Sequence, residues 1–191
     1  MITPWLQPSS LIIGIFFAIN VLDFWRKLQS RERVSELLFV SQVNLNNRRT
    51  RTILKGLHNA VALDIHWRSG EIYWSDYSMH VIKKATINGS LEQDVVRWGL
   101  QNPTGLAVDW VHNLLFWSDS ELRRVDVANL DGSMPTTIAH TDLEKPRDVA
   151  VHPGKAFVFW TDWGKSNHNN RRFINQKNKK EISQIWILIL N

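Results

Sequence analysis

Between residues 50 and 165 the apolar positions come in short runs, not in helical stripes. Ala60-Val61-Ala62-Leu63, Gly105-Leu106-Ala107-Val108 and Asp148-Val149-Ala150-Val151 are small and largely apolar. Glu71-Ile72-Tyr73-Trp74, Leu114-Leu115-Phe116-Trp117 and Ala156-Phe157-Val158-Phe159-Trp160 are aromatic and branched. Such compositions suit half- or fully buried strands. Gly, Asn, Asp or Pro bounds each run, the residues that build turns. Asn88-Gly89 and Asp131-Gly132 are the strongest hairpin signals, each with a strand expected on both sides. The expectation is an all-β chain.

The runs recur on a fixed step. Tyr73-Trp74-Ser75-Asp76, Phe116-Trp117-Ser118-Asp119 and Phe159-Trp160-Thr161-Asp162 stand 43 residues apart. Gly56-Leu57, Gly99-Leu100 and Asp142-Leu143 keep the step, as do Pro103 and Pro146, and Asn88-Gly89-Ser90 and Asp131-Gly132-Ser133. Between these anchors the spacing slips and recovers, as loops between strands tolerate. About four short strands per unit of this length make a propeller blade. The Trp of each tetrapeptide is expected to fill the space between blades. Each Asp (Asp76, Asp119, Asp162) is expected to accept hydrogen bonds from turn N–H groups. The alternative is a metal or catalytic cluster of the three carboxylates; copies on different blades favour architecture, with no metal.

Trp-(Ser/Thr)-Asp after two apolar residues, on this step, resembles the YWTD or class B repeat of the low-density lipoprotein receptor family. Gly105-Leu106-Ala107-Val108-Asp109-Trp110, Val127-Ala128-Asn129-Leu130-Asp131-Gly132-Ser133 and Leu143-Glu144-Lys145-Pro146-Arg147 also resemble its connecting segments. Leu37-Leu38-Phe39-Val40 looks like the first strand of such a propeller. The likeness is nearest to receptor-related proteins 4, 5 and 6 and runs from about Leu37 to Lys165. It implies an incomplete six-bladed propeller, since the family closes six blades and this chain supplies an opening strand, two units and the start of a third. It also implies extracellular ligand binding, with Wnt-pathway or agrin-type signalling and endocytic uptake, and secreted protein or peptide ligands as partners.

In that family the peptide-binding face is lined by residues just after the tetrapeptide and just after Lys-Pro. The matching positions here are Glu121, Arg147 and Trp163. An acidic group, an arginine and a tryptophan form a plausible anchor set; the bland reading is weak rim charge. His80 departs from the pattern, because the relatives can carry an acidic residue there.

Three regions result: 1–36, 37–165 with the propeller repeats, and 166–191. In the first, Leu11 to Leu22 is an apolar run too short for a membrane span of about 20 residues. It suits a signal-peptide core or short anchor, although basic residues follow the run and none precedes it. The alternative is an adventitious hydrophobic helix. The third region leaves the pattern after Trp163-Gly164-Lys165, with Arg and Lys among Asn and then an apolar end, and is expected to be disordered. Its charges could serve a nucleic-acid-binding arm, but a solvated end explains them and no nucleic-acid partner is expected. The net charge of +5 owes much to these flanks.

There is no cysteine, so disulfide-dependent receptor modules are missing from this stretch. Asn88-Gly89-Ser90 fits N-glycosylation, and equally a plain turn. No P-loop, G-x-S-x-G or His-Glu-x-x-His motif is present, so neither an enzyme nor a cofactor is expected. The expected place is the extracellular side of the plasma membrane, or secretion. The alternatives are a truncated, non-functional fragment and a secreted matrix or growth-factor-precursor propeller.

Overall fold

In the computed structural model the described residues are 11–17, 38–44, 49–164, 173–174, 181–182 and 184–189; side chains are described at Val40 and 49–164. The chain divides into two compact units, Met1–Ala60 and Val61–Asn191. The rest of the first region, and the basic stretches 166–172 and 176–180, lie outside the described residues.

The first unit holds one antiparallel sheet of β1 (Leu11–Phe17), β2 (Leu38–Asn44) and β3 (Thr50–Leu57), in the order β1-β2-β3. β1 comes from the apolar run expected to be a signal, anchor or helix. Its described part is a strand and not the alternative helix, with Leu11 opposite Asn44 and Phe17 opposite Leu38. Among the described residues no helix is long and apolar enough to cross a membrane.

The second unit repeats one motif. β4 (Ala60–His66), β5 (Glu71–Asp76), β6 (Val81–Thr86) and β7 (Gln93–Val96) form an antiparallel sheet in chain order. β8 (Pro103–Asp109), β9 (Leu114–Asp119), β10 (Arg124–Asn129) and β11 (Thr136–Ala139) form the next. β12 (Pro146–His152) and β13 (Phe157–Asp162) begin a third sheet, and β14 (Phe173–Ile174) pairs with β15 (Glu181–Ile182). The third strand of that third sheet is β16 (Gln184–Ile189), from the segment expected to be disordered. Its β-branched run places Trp186 opposite Trp160 and satisfies the edge of β13. The chain is thus an incomplete, all-β propeller.

The predicted hairpins form, with a three-residue loop. Thr86 N–H donates to the Ser90 carbonyl at 2.9 Å and Gly89 N–H to the Thr86 carbonyl at 2.8 Å. Asn129, Gly132 and Ser133 repeat both bonds at 3.0 and 2.8 Å. Gly89 and Gly132 sit at φ 84° and 83°, the left-handed position that closes such a loop with a bulge.

Alternation along the strands divides the tetrapeptide between two seams. Tyr73 and Trp117 share a core with Ile82, Leu106, Val108 and Leu115, between the first and second four-stranded sheets. Phe116 and Trp160 share the next core with Ala107, Leu143, Val149 and Val158. Tyr73 and Phe116 therefore face the following blade, and Trp117 and Trp160 the preceding one. Trp74, Trp117 and Trp160 are buried as expected, at 0, 2 and 5% exposure. Each fully buried side chain of this kind contributes about 1.5–3 kcal/mol or more. Close approach of the blades needs Gly105, where a Cβ would stand 2.7 Å from Ser118 Oγ and 2.8 Å from the Val149 nitrogen.

Candidate functional site at the tetrapeptide ends

The strands β5, β9 and β13 all end on a buried Asp, and that carboxylate organises the loops around it. Asp119 Oδ1 accepts from the N–H groups of Asn102 at 3.0 Å, Glu121 at 3.1 Å and Leu122 at 3.0 Å. Its Oδ2 accepts from Gln101 N–H at 2.7 Å. Asp162 repeats the arrangement with Glu144, Lys145 and Gly164 at 2.8–2.9 Å. Asp76 accepts from Met79 N–H at 3.0 Å. All three accept from backbone donors, and Asp119 and Asp162 each pin the loop entering the sheet to the turn that follows the strand.

In the second blade the tetrapeptide hydroxyl ties one blade to the next. Ser118 Oγ donates to the Arg147 carbonyl at 2.6 Å, and Thr104 Oγ1 donates to the Pro146 carbonyl at 3.1 Å. The backbone beneath Arg147 is therefore held from the preceding blade. Its guanidinium lies 4.9 Å over the Trp163 ring, and Trp163 N–H donates to the Lys145 carbonyl at 3.0 Å. Arg147 and Trp163 thus meet. Glu121 is an exposed side chain one blade away, positioned through its own N–H on Asp119.

The same ends carry exposed residues that the repeat pattern passes over. Trp98 is 86% exposed, and Tyr77 and Met79 are exposed on the β5–β6 turn. His80 Nδ1–H donates to the Gln101 carbonyl, and its ring lies edge-on to Tyr77 at 6.3 Å. Trp98 has no tryptophan 43 residues before or after it, unlike the buried Trp74, Trp117 and Trp160.

At the opposite ends the polar groups are structural. His66 Nδ1 accepts from Ser69 N–H at 3.1 Å, so the ring proton sits on Nε2 and donates to Asn113 Oδ1 at 3.3 Å. Asp64 accepts from Val108 N–H across the seam at 2.8 Å, yet burial holds its carboxyl above the usual range. Burial also raises Asp126 despite Thr137 and Arg124 beside it. Burial alone would raise Glu71, but hydrogen bonds from Lys84 and Ser69 hold it below its ordinary value. Burial and the Glu71 charge push the Tyr73 phenol up.

Successive antiparallel sheets, each with a Trp-(Ser/Thr)-Asp segment on an interior strand, define a YWTD-type β-propeller. Residues 70–110 and 113–153 match the low-density lipoprotein receptor repeat class B. It is 44% identical over 44 residues to low-density lipoprotein receptor-related protein 4 of Homo sapiens, and equally to that of Mus musculus. That stretch is 23% of this chain and 2% of the receptor. A chain in a crystal structure of a nidogen/laminin complex superposes with a TM-score of 0.62 at 26% identity, covering 66% of this chain and 51% of that one.

Proposed function

We propose that the tetrapeptide ends of these blades bind a secreted protein through an extended segment, outside the cell, as part of a lipoprotein-receptor-related receptor. The observation that carries the reading is the Arg147–Trp163 stack, 4.9 Å from guanidinium to ring. A cation held over an indole is ordered before a ligand arrives, which reduces the entropy lost on binding. Trp and Arg are also the residue types that dominate interface hot spots. Glu121, Trp98 and Tyr77 extend the exposed surface along the same ends. The family resemblance supports agrin-type or Wnt-modulating ligands and endocytic uptake of the bound protein.

A second reading, a secreted matrix propeller, is favoured by the likeness to the nidogen/laminin complex chain. Biolayer interferometry of the full chain against an agrin fragment and a laminin fragment separates the two. In either case Trp163→Ala should weaken binding about tenfold, or about 1.4 kcal/mol, with an unchanged thermal melt. Unchanged affinity removes the Arg147–Trp163 stack from the site.

A further inference from the structure

We propose that Asn88 is an N-glycosylation site, so that the outer turn of the β4–β7 blade carries an oligosaccharide. The proposal rests on the extracellular reading above for access to the modifying enzyme, and otherwise on the turn itself. Asn88-Gly89-Ser90 is the chain's one Asn-x-Ser/Thr triplet with a permissive middle residue; Asn102-Pro103-Thr104 has proline there. Asn88 and Ser90 are both exposed, and the loop closes through Gly89 at φ 84°.

The repeat supplies an internal comparison for the amide. In the next blade Asp131-Gly132-Ser133 makes the same loop, and Asp131 Oδ1 accepts from Ser133 N–H at 2.9 Å. Asn88 Oδ1 does the same work, accepting from Ser90 N–H at 3.2 Å and from Ser90 Oγ–H at 2.7 Å. The turn therefore needs an acceptor oxygen at this position, which a carboxylate supplies as well. The amide nitrogen is what distinguishes Asn88, and a glycan attached to it leaves the acceptor oxygen in place.

The transfer joins Asn88 Nδ2 to the anomeric carbon of a polyprenyl-diphosphate-linked oligosaccharide. The bond from that carbon to the phosphate oxygen breaks. The polyprenyl diphosphate leaves with its electron pair, and the amide gives up one proton. No oxidant or reductant is needed. The product would shield Leu91, 77% exposed and held at φ 57° beside the turn. β6 separates Asn88 from the Tyr77–His80 turn by six residues, about 20 Å of strand at 3.3 Å per residue. A glycan here would keep the outer turn in solvent and leave the tetrapeptide ends open.

The test expresses the full chain behind a heterologous signal peptide in mammalian cells, with lumenal location verified by protease protection. The expected result is a mobility shift removed by peptide-N-glycosidase F, which leaves Asp at position 88 in the peptide mass spectrum. Asn88→Asp and Ser90→Ala should each abolish the shift, and Asn88→Asp should keep the wild-type melt. In an Asn88→Asp background, Asp131→Asn should restore a shift from the equivalent turn. A lumenal wild-type chain without a shift, or a shift that survives Asn88→Asp, overturns the proposal. Loss of agrin-fragment binding with the glycan intact would count against the proposed function alone.

Discussion

Asp119 is the residue on which the loop architecture can be tested most sharply. Its side chain is fully buried, and four backbone N–H groups converge on it, from Gln101, Asn102, Glu121 and Leu122. Asp119→Ala leaves all four without that acceptor. An unmet buried donor costs about 1–3 kcal/mol. Gln101 and Glu121 are exposed and Asn102 and Leu122 half-buried, so water reaches some of these groups and the low end applies. The expected loss is about 4 kcal/mol, a large share of the 5–15 kcal/mol by which a typical domain is stable. Asp119→Asn keeps the Oδ1 acceptor and its three donors but turns an NH2 toward Gln101 N–H, for an expected loss of about 1–3 kcal/mol. Urea unfolding followed by tryptophan fluorescence reads both. Losses below about 1 kcal/mol for Asp119→Ala, at an unchanged denaturant slope, would refute the carboxylate as the organiser of these loops.

Ser75 and Ser118 occupy the same repeat position, yet Ser118 donates across the seam while Ser75 Oγ is buried without a hydrogen-bond partner. Ser118→Ala should therefore lower the melting temperature and cost about 1–3 kcal/mol, whereas Ser75→Ala should leave it unchanged or raise it; equal losses in calorimetry would contradict this. Asp64 has a folded pKa raised by burial, so its contribution to stability grows as pH falls from neutral through that value and is lost as pH rises. Wild type should gain stability over Asp64→Asn between pH 7 and 4, and parallel stability curves would rule that out. Phe116 is fully buried and Phe159 half-exposed, so Phe116→Ala should cost about 3–5 kcal/mol and Phe159→Ala less than half as much, by urea titration.

The 43-residue step made the blades legible, because burial between identical units forces the same residue types at the same places. It reaches further into the backbone than the sequence alone suggests. Left-handed φ falls on the step at Gly56, Gly99 and Asp142, at Gly70, Asn113 and Ala156, at His80 and Arg123, and at Leu91 and Met134. The glycines among these could be anticipated; Ala156, Arg123, Leu91 and Met134 could not, since only the turn geometry forces them there. The seam bond from Ser118 to Arg147 was equally hidden. A serine carries no mark of which strand it reaches. The pairing of β16 with β13 was hidden for another reason: Ile185 to Ile189 has β-branched character, but nothing outside the repeat names its partner. Of the candidate site residues, Arg147 and Trp163 came from motif position, and their contact follows from Asp162 holding both Lys145 and Gly164.

The third blade shows what a neighbour contributes. In β8 every residue from Gly105 to Asp109 is buried, and in β9 every residue from Leu115 to Asp119. The equivalent strands β12 and β13 bury residues on one side only, with Asp148, Ala150 and His152 exposed and Phe157, Phe159 and Thr161 half-exposed. The residue types are nearly the same, so the difference lies in what covers them. In the second blade that covering is the side of the third sheet bearing Val149 and Trp160. On the third blade the matching side carries two edge-to-face rings, Phe157 and Phe159, centroids 6.1 Å apart, and a shallow recess between β12 and β13. Burying one such ring fully contributes about 1.5–3 kcal/mol. A blade of this repeat therefore draws a substantial part of its stability from the next one. The rigidity of the Arg147–Trp163 stack, which rides on β12 and β13, depends on the same packing.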